Sequence, residues 1–271
     1  MYGVMLLVAI AGAIALTGYR WTRRGGDFDL VLRAAVWGVA FGIVGARLYH
    51  VATSWDEVPD PKWQGVFEIW EGGLGVWGGI FLGVIAGVVV VRRAGESALA
   101  MMDAVAPGLL LAQGIGRIGN YWNQELYGKP TELPWAVEID PEHRVAEYPQ
   151  EDTFHPTFLY ELLYDVFMVG VLLLLDRRFR FRPPALFALY VAVYTFGRTF
   201  EELLRVDPAH EFFGLRLNAW VSMGLFVLSA AFFVWWQFLR GGRPEPERRA
   251  PRPPQPAEAR AVPKGRVRSS R

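Results

Sequence analysis

The sequence predicts an all-α polytopic membrane protein, with seven transmembrane helices and a small extracytoplasmic subdomain. Two observations carry that class. Apolar runs recur along the chain without the polar breaks, at helical or strand period, that keep one face of a soluble element wet. The connections between the runs alternate in charge, basic then acidic. Composition agrees: 52% of the 271 residues are hydrophobic, 14% are aromatic, and the mean hydropathy is +0.20.

The runs are Gly3 to Gly18, Leu30 to Ala52, Leu74 to Val91, Ala98 to Ile115, Phe158 to Leu175, Pro184 to Phe200 and Leu217 to Leu239. Each approaches or reaches the roughly 17 to 25 residues that a bilayer core demands. The first run has no basic leader, is followed by Arg20, Arg23 and Arg24, and precedes further spans. It therefore reads as an anchor and not as a signal peptide. A span opening at Tyr2 is short, which leaves the expectation of a start further upstream.

The net charge is only +1, so placement outweighs the sum. Arginines follow span one, span three (Arg92, Arg93) and span five (Arg177, Arg178, Arg180, Arg182), and recur through the C-terminal tail. The other connections are acidic, with Asp56, Glu57, Asp60 and Glu68, then eight carboxylates between Glu125 and Asp152, then Asp207 and Glu211. The positive-inside rule places the N-terminus outside and the C-terminus in the cytoplasm. The chain thus divides into a seven-helix membrane domain over 1–240, an extracytoplasmic insertion over 129–154 within it, and a tail over 241–271. WAVEID in the insertion reads as a strand. The tail is rich in proline and arginine, is expected to be disordered, and serves as a topology determinant or a ligand for anionic headgroups.

Cysteine is absent, which excludes disulfides and a thiol nucleophile of the protein's own. Any sulfur chemistry belongs to a substrate. The polar stretch Gly116 to Gly128 has no metal-ligand spacing, Walker pattern or nucleophile elbow; no metal or cofactor is expected, and nothing points to nucleic acid.

Three arginines interrupt the apolar runs, each after a small residue: Arg47, Arg117 and Arg198. A central arginine costs roughly 2.5 to 3.5 kcal/mol to insert, so three near one side of the membrane require anionic partners. These are either a bound anion or carboxylates such as Glu71, Asp103, Asp165 and Glu202. In GRTFEELLR, Arg198, Glu202 and Arg205 form a charge ladder one turn apart. GRIGNYWNQELYG, Gly116 to Gly128, adds Asn120, Asn123, Gln124 and Glu125 directly after span four. An arginine fork with neutral amides suits a phosphate bearing glycerol hydroxyls, at the depth of the outer headgroups. WEGGLGVWGG, which contains Gly73, opens span three with glycines that suit close helix packing or backbone approach to a ligand. HPTFLYE, with His155 and Tyr160, opens span five.

These blocks resemble the bacterial phosphatidylglycerol-prolipoprotein diacylglyceryl transferases, in the family's order, from Tyr2 to about Trp236. The resemblance implies a multi-pass protein of the bacterial cell membrane. It also implies a reaction in which the diacylglyceryl group of phosphatidylglycerol moves to the lipobox cysteine of a preprolipoprotein, forming a thioether and releasing glycerol phosphate. By the same resemblance Arg117 and Arg198 are catalytic, at the phosphate. Tyr2, Arg47, Gly73, Asn120, Glu125, Gly128, His155, Tyr160 and Glu202 are substrate-binding positions. Many members carry a histidine where this chain has Trp77. Either His155 takes its place as thiol base, or the cationic pocket favours the thiolate without a dedicated base, and the second is preferred. A transporter of an anionic substrate is the alternative, but it calls for charge through the membrane depth or repeated halves. The polar motifs here gather at one end.

Overall fold

The computed structural model describes residues 2–240, the side chain of Tyr2 excepted. Helices α1 (Tyr2–Arg23), α2 (Phe28–Thr53), the single turn α3 (Lys62–Gly65), α4 (Val76–Arg93), α5 (Ala98–Asn123), α6 (Thr157–Arg178), α7 (Ala185–Leu204) and α8 (Leu217–Val234) follow in order. A wider helical turn, Trp235–Leu239, prolongs α8. Six of the helices, α1, α2, α4, α5, α6 and α8 with its extension, are long and apolar enough to cross a membrane. The seventh expected span corresponds to α7, where Arg198, Glu201 and Glu202 fall within 20 residues. Large side chains such as Val36, Phe81, Phe167, Leu174 and Leu228 point outward from the bundle. In water that surface would be unfavourable; against lipid it is the matching solvent. The chain is thus a mostly helical, multi-pass membrane protein.

Glycines decide how closely the helices approach. A Cβ on Gly45 would lie 2.2 Å from the Gly78 carbonyl, and one on Gly83 would lie 2.9 Å from that of Gly38, so α2 and α4 meet backbone to backbone. Gly108 of α5 does the same against Ala13 and Thr17 of α1. Apolar side chains fill the rest, in one cluster around Trp21, Leu30, Val91 and Met101 and a second around Leu110, Leu172, Leu186 and Tyr190.

Charge separates the two ends of the bundle. At the basic end, Arg20 is buried, donates to the Asp103 carbonyl at 2.6 Å, and pairs with Asp176 at 2.9 Å. Arg24 joins the same carboxylate at 3.0 Å. At the other end the chain between α5 and α6 packs Tyr127, Ile139 and Phe154 together. The two-stranded antiparallel sheet β1 (Val137–Glu138) with β2 (Thr153–Phe154) lies there, β1 falling inside WAVEID as expected. A second hairpin, β3 (Glu211–Phe212) with β4 (Leu215–Arg216), links α7 to α8. The expected disordered, lipid-binding tail over 241–271 lies outside the described residues.

Candidate functional site

The site is built where α5, α6 and α7 end or begin on the acidic side. The span expected to stop at Ile115 continues through Asn123, so Arg117 projects from within α5, about two turns before its end. The glycines of GRIGN are helical, and Gly114 just before them faces the Asp165 side chain on α6. The stop comes at Gln124, whose left-handed φ of 49° ends the helix.

Arg117 donates to Glu161 Oε1 at 2.7 Å, and Arg198 approaches Oε2 of the same carboxylate at 3.3 Å. Glu161 on α6 thereby bridges the arginines of α5 and α7. Arg198 also pairs with Glu201 and Glu202, three and four residues on, which extends the expected ladder by a second rung. Glu202 is fully buried and passes charge outward to Arg216 at 2.6 Å, which reaches Asp207 at 2.8 Å. Arg205 meets Asp207 at 2.6 Å. Burial opposes the charge on Asp207, yet the hydrogen bonds and attraction of Arg205 and Arg216 prevail and hold its carboxyl below the usual range. The result is a chain of alternating charges from the bundle interior to the α7–α8 connection.

Beside it, Glu125 Oε1 accepts from Asn120 Nδ2 at 2.9 Å and Asn123 Nδ2 at 3.1 Å. Gln124 and Asp140 exchange two bonds of 2.7 Å, fastening the 129–154 segment to the end of α5. Gly128 donates its N–H to the His155 carbonyl at 2.8 Å, and a Cβ there would lie 2.8 Å from Thr157 Cγ2. Only glycine fits between the starts of α6 and the end of α7. His155 Nδ1 and Tyr160 Oη lie 3.0 Å apart, and Tyr160 accepts from Trp135 Nε1 at 2.8 Å.

A cavity of about 320 Å³ opens between α6 and α7, lined among others by Tyr160, Glu161, Tyr194, Arg198 and Glu201.

Arg47 is held differently from the other two arginines. Buried on α2, it donates to the carbonyls of Gly65, Val66 (3.0 Å), Gly72 (2.8 Å) and Gly73 (3.0 Å). Gly73, with φ of 67°, lies so close that a Cβ would be 2.4 Å from His50 Nε2. Arg47 therefore ties the loop before α4 to the bundle. Trp77, in the first turn of α4, is 57% exposed. Tyr2 begins α1.

The comparisons with known proteins then decide the family. A model of the prolipoprotein diacylglyceryl transferases matches residues 1–235. The chain belongs to the prolipoprotein diacylglyceryl transferase family. Relatives named phosphatidylglycerol–prolipoprotein diacylglyceryl transferase include those of Frankia alni, Streptomyces griseus and Bifidobacterium adolescentis. The Frankia alni protein is 50% identical over 82% of this chain and 59% of its own length. The Streptomyces griseus protein is 44% identical over 90% of this chain and 74% of its own. The Bifidobacterium adolescentis protein is 41% identical over 86% of this chain and 74% of its own. Membership in the transferase family disfavours the transporter reading.

For this family member the structure joins Arg117, Arg198 and Glu202 in one network and sets Asn120 with Glu125, and Gly128 with His155 and Tyr160, on its flank. Sequence reasoning missed Glu161 as the bridge, Glu201, and the outer pair Asp207 and Arg216. The signal for Glu161 was present: a carboxylate within an apolar span demands a partner from another helix.

Proposed function

We propose that this protein transfers the diacylglyceryl group of phosphatidylglycerol to the lipobox cysteine of a preprolipoprotein, making a thioether and releasing glycerol phosphate. The observation that carries this reading is the Arg117–Glu161–Arg198 bridge, of which Glu161 and Arg198 line a cavity between α6 and α7. The relatives' names support both substrates. Seven helices cross the bacterial inner membrane, α7 included, because the charges of α7 have partners inside the bundle. The N-terminus lies outside and the C-terminus in the cytoplasm, since Arg23, Arg92, Arg93 and Arg178 mark the opposite end of the bundle from the site. The 129–154 segment is the extracytoplasmic subdomain, fastened over the site through Gln124 and Gly128.

The substrate thiolate attacks the glyceryl carbon that bears the phosphate. A carbon–sulfur bond forms, the carbon–oxygen bond breaks, and the electron pair leaves on the phosphate oxygen. Negative charge therefore grows on that oxygen in the transition state. Among the described residues Arg117 donates once, to Glu161, which leaves most of its five N–H donors for phosphate oxygens. Held in place before the reaction, Arg117 and Arg198 stabilise the departing phosphate more than the bound lipid. Glu161 and Glu202 orient the two guanidinium groups, and Asn120, Glu125, Gly128, His155 and Tyr160 shape the approach. Arg47 and Gly73 act at one remove, by fixing the loop before α4, and Tyr2 at the start of α1 completes the set. The Trp77 indole offers no basic nitrogen, so the N–H groups of Arg117 that Glu161 leaves open favour the thiolate.

Incubating the purified protein with phosphatidylglycerol and a lipobox peptide, then weighing the peptide, tests the reading. The expected product gains one diacylglyceryl group and is absent when the cysteine is replaced by alanine. An unmodified cysteine peptide, under conditions where the Streptomyces griseus relative is active, would sink it.

A further inference from the structure

We propose that the tip of the β3–β4 hairpin, Phe212 with Phe213, is seated in the membrane leaflet that borders the site, between the headgroups and the first methylenes of the acyl chains. The register pairs Phe212 with Leu215, which leaves Phe213 and Gly214 as a two-residue turn. Both have positive φ, 49° and 74°. Such turns suit Asn-Gly or Asp-Gly, because a bulky side chain crowds its own backbone in that conformation. Here the strained position carries phenylalanine, and its side chain, 84% exposed, is the most open large apolar one among the described residues. Phe212 is 58% exposed and meets Phe213 edge to face at 4.5 Å. In water the tip is unfavourable twice over, in backbone conformation and in bare apolar surface. Lipid removes the second cost.

The seat of the hairpin on α8 identifies lipid as the partner. The Phe212 carbonyl accepts from Trp220 Nε1 at 2.8 Å, and the Leu217 N–H donates to the His210 carbonyl at 2.8 Å. The hairpin is thus held to the first turn of α8, where the apolar span Leu217–Leu239 begins. Leu217, Val221, Leu225 and Leu228 are exposed and recur at helical spacing, so they form one lipid-facing stripe that the tip continues. Trp220 beside them has an exposed ring and a bonded N–H, the pairing of apolar body and satisfied polar end that suits the membrane interface. Charge sets the depth. His210 and Glu211 are exposed at the base of the hairpin, and Arg216 turns inward to Glu202 at 2.6 Å, so only the two phenylalanine rings enter. Because Glu202 also holds Arg198, a tip fixed in lipid sets the height of that charge chain relative to the headgroups.

The absence of cysteine permits a direct test, since any introduced thiol is unique. Phe213→Cys, Gln150→Cys in the exposed part of the 129–154 segment, and Leu228→Cys on the lipid-facing stripe are each labelled with a nitroxide. The full chain is reconstituted in vesicles of phosphatidylglycerol and phosphatidylcholine. Electron paramagnetic resonance then measures collisions of each label with oxygen, which concentrates in lipid, and with a neutral nickel chelate, which stays in water. The oxygen-to-nickel collision ratio at position 213 is expected to lie several-fold above that at 150, toward that at 228. Phe213 loses one ring contact on substitution, so the variant is expected to fold, and thermal unfolding checks this; should it not fold, Phe212→Cys carries the comparison. A ratio at 213 equal to that at 150 would place the tip in water and overturn the proposal. Few collisions with either probe would place the tip against protein, such as a second copy of the chain, and overturn it equally.

Discussion

Replacing Glu161 probes the bridge directly, because one carboxylate serves two arginines of different helices. The pair with Arg117 is tight, with the Glu161 side chain 5% exposed and that of Arg117 17% exposed. Glu161→Gln keeps the shape and an acceptor but removes the charge. A charge-assisted bond is about twice as strong as a neutral one, so the loss is about 1 kcal/mol, near fivefold in rate. Glu161→Ala leaves Arg117 without its carboxylate and Arg198 with Glu201 and Glu202 only. Breaking a buried pair costs about 3 to 5 kcal/mol; discounted for the exposure of Arg117, about 2 to 3 kcal/mol remains, or about 30- to 150-fold. The assay is the initial rate of diacylglyceryl transfer at varied phosphatidylglycerol. The effect should appear in kcat, since orientation of Arg117 matters most in the transition state, with KM unchanged or lower because a competing anion is gone. A raised KM at constant kcat, or equal rates in wild type and both folded variants, would refute the orienting role.

Other expectations follow from contacts already described. Gly45→Val forces α2 from α4, since even a Cβ meets the Gly78 carbonyl, and should cost about 1 to 3 kcal/mol or more in thermal unfolding. Gly87→Ala, with nothing within 4 Å of the new methyl, should be neutral or stabilising by up to about 1 kcal/mol. Trp77→His should change the rate by less than about tenfold, because a needed base would be worth about a hundredfold or more; a larger gain would restore the dedicated-base reading. Asp207→Asn tests the outer charge chain. The folded carboxyl lies below the usual aspartate value of about 3.9, so its stabilisation is complete above that value and is lost as pH falls through the folded one. The gap in melting temperature between wild type and Asp207→Asn should therefore be widest near neutral pH and close below about pH 3.9; a gap that widens in acid would contradict the sign.

The helices were legible because lipid removes the need for an amphipathic period, so uninterrupted apolar runs mark each one. Their ends were less so. Gly116 and Asn120 look like terminators in water, yet α5 runs to Asn123 because tertiary packing around the buried Gly119 and Asn120 overrides their propensity. The importance of Arg117 and Arg198 was visible as isolated charge in apolar surroundings. Their shared partner was not, since the pairing of Arg117 with Glu161 joins residues 44 apart on different helices. Arg47 shows the converse limit: the sequence asks for an anion, and backbone carbonyls of residues 65–73 answer instead, which no pattern of side chains announces.

The most direct measurement compares wild type, Arg117→Ala and Arg198→Ala, each shown to be inserted and folded, by the mass of a lipobox peptide after incubation with phosphatidylglycerol. Wild type should add one diacylglyceryl group per cysteine while neither variant yields measurable adduct. A near-normal adduct from either variant would contradict the assignment of these arginines to the departing phosphate.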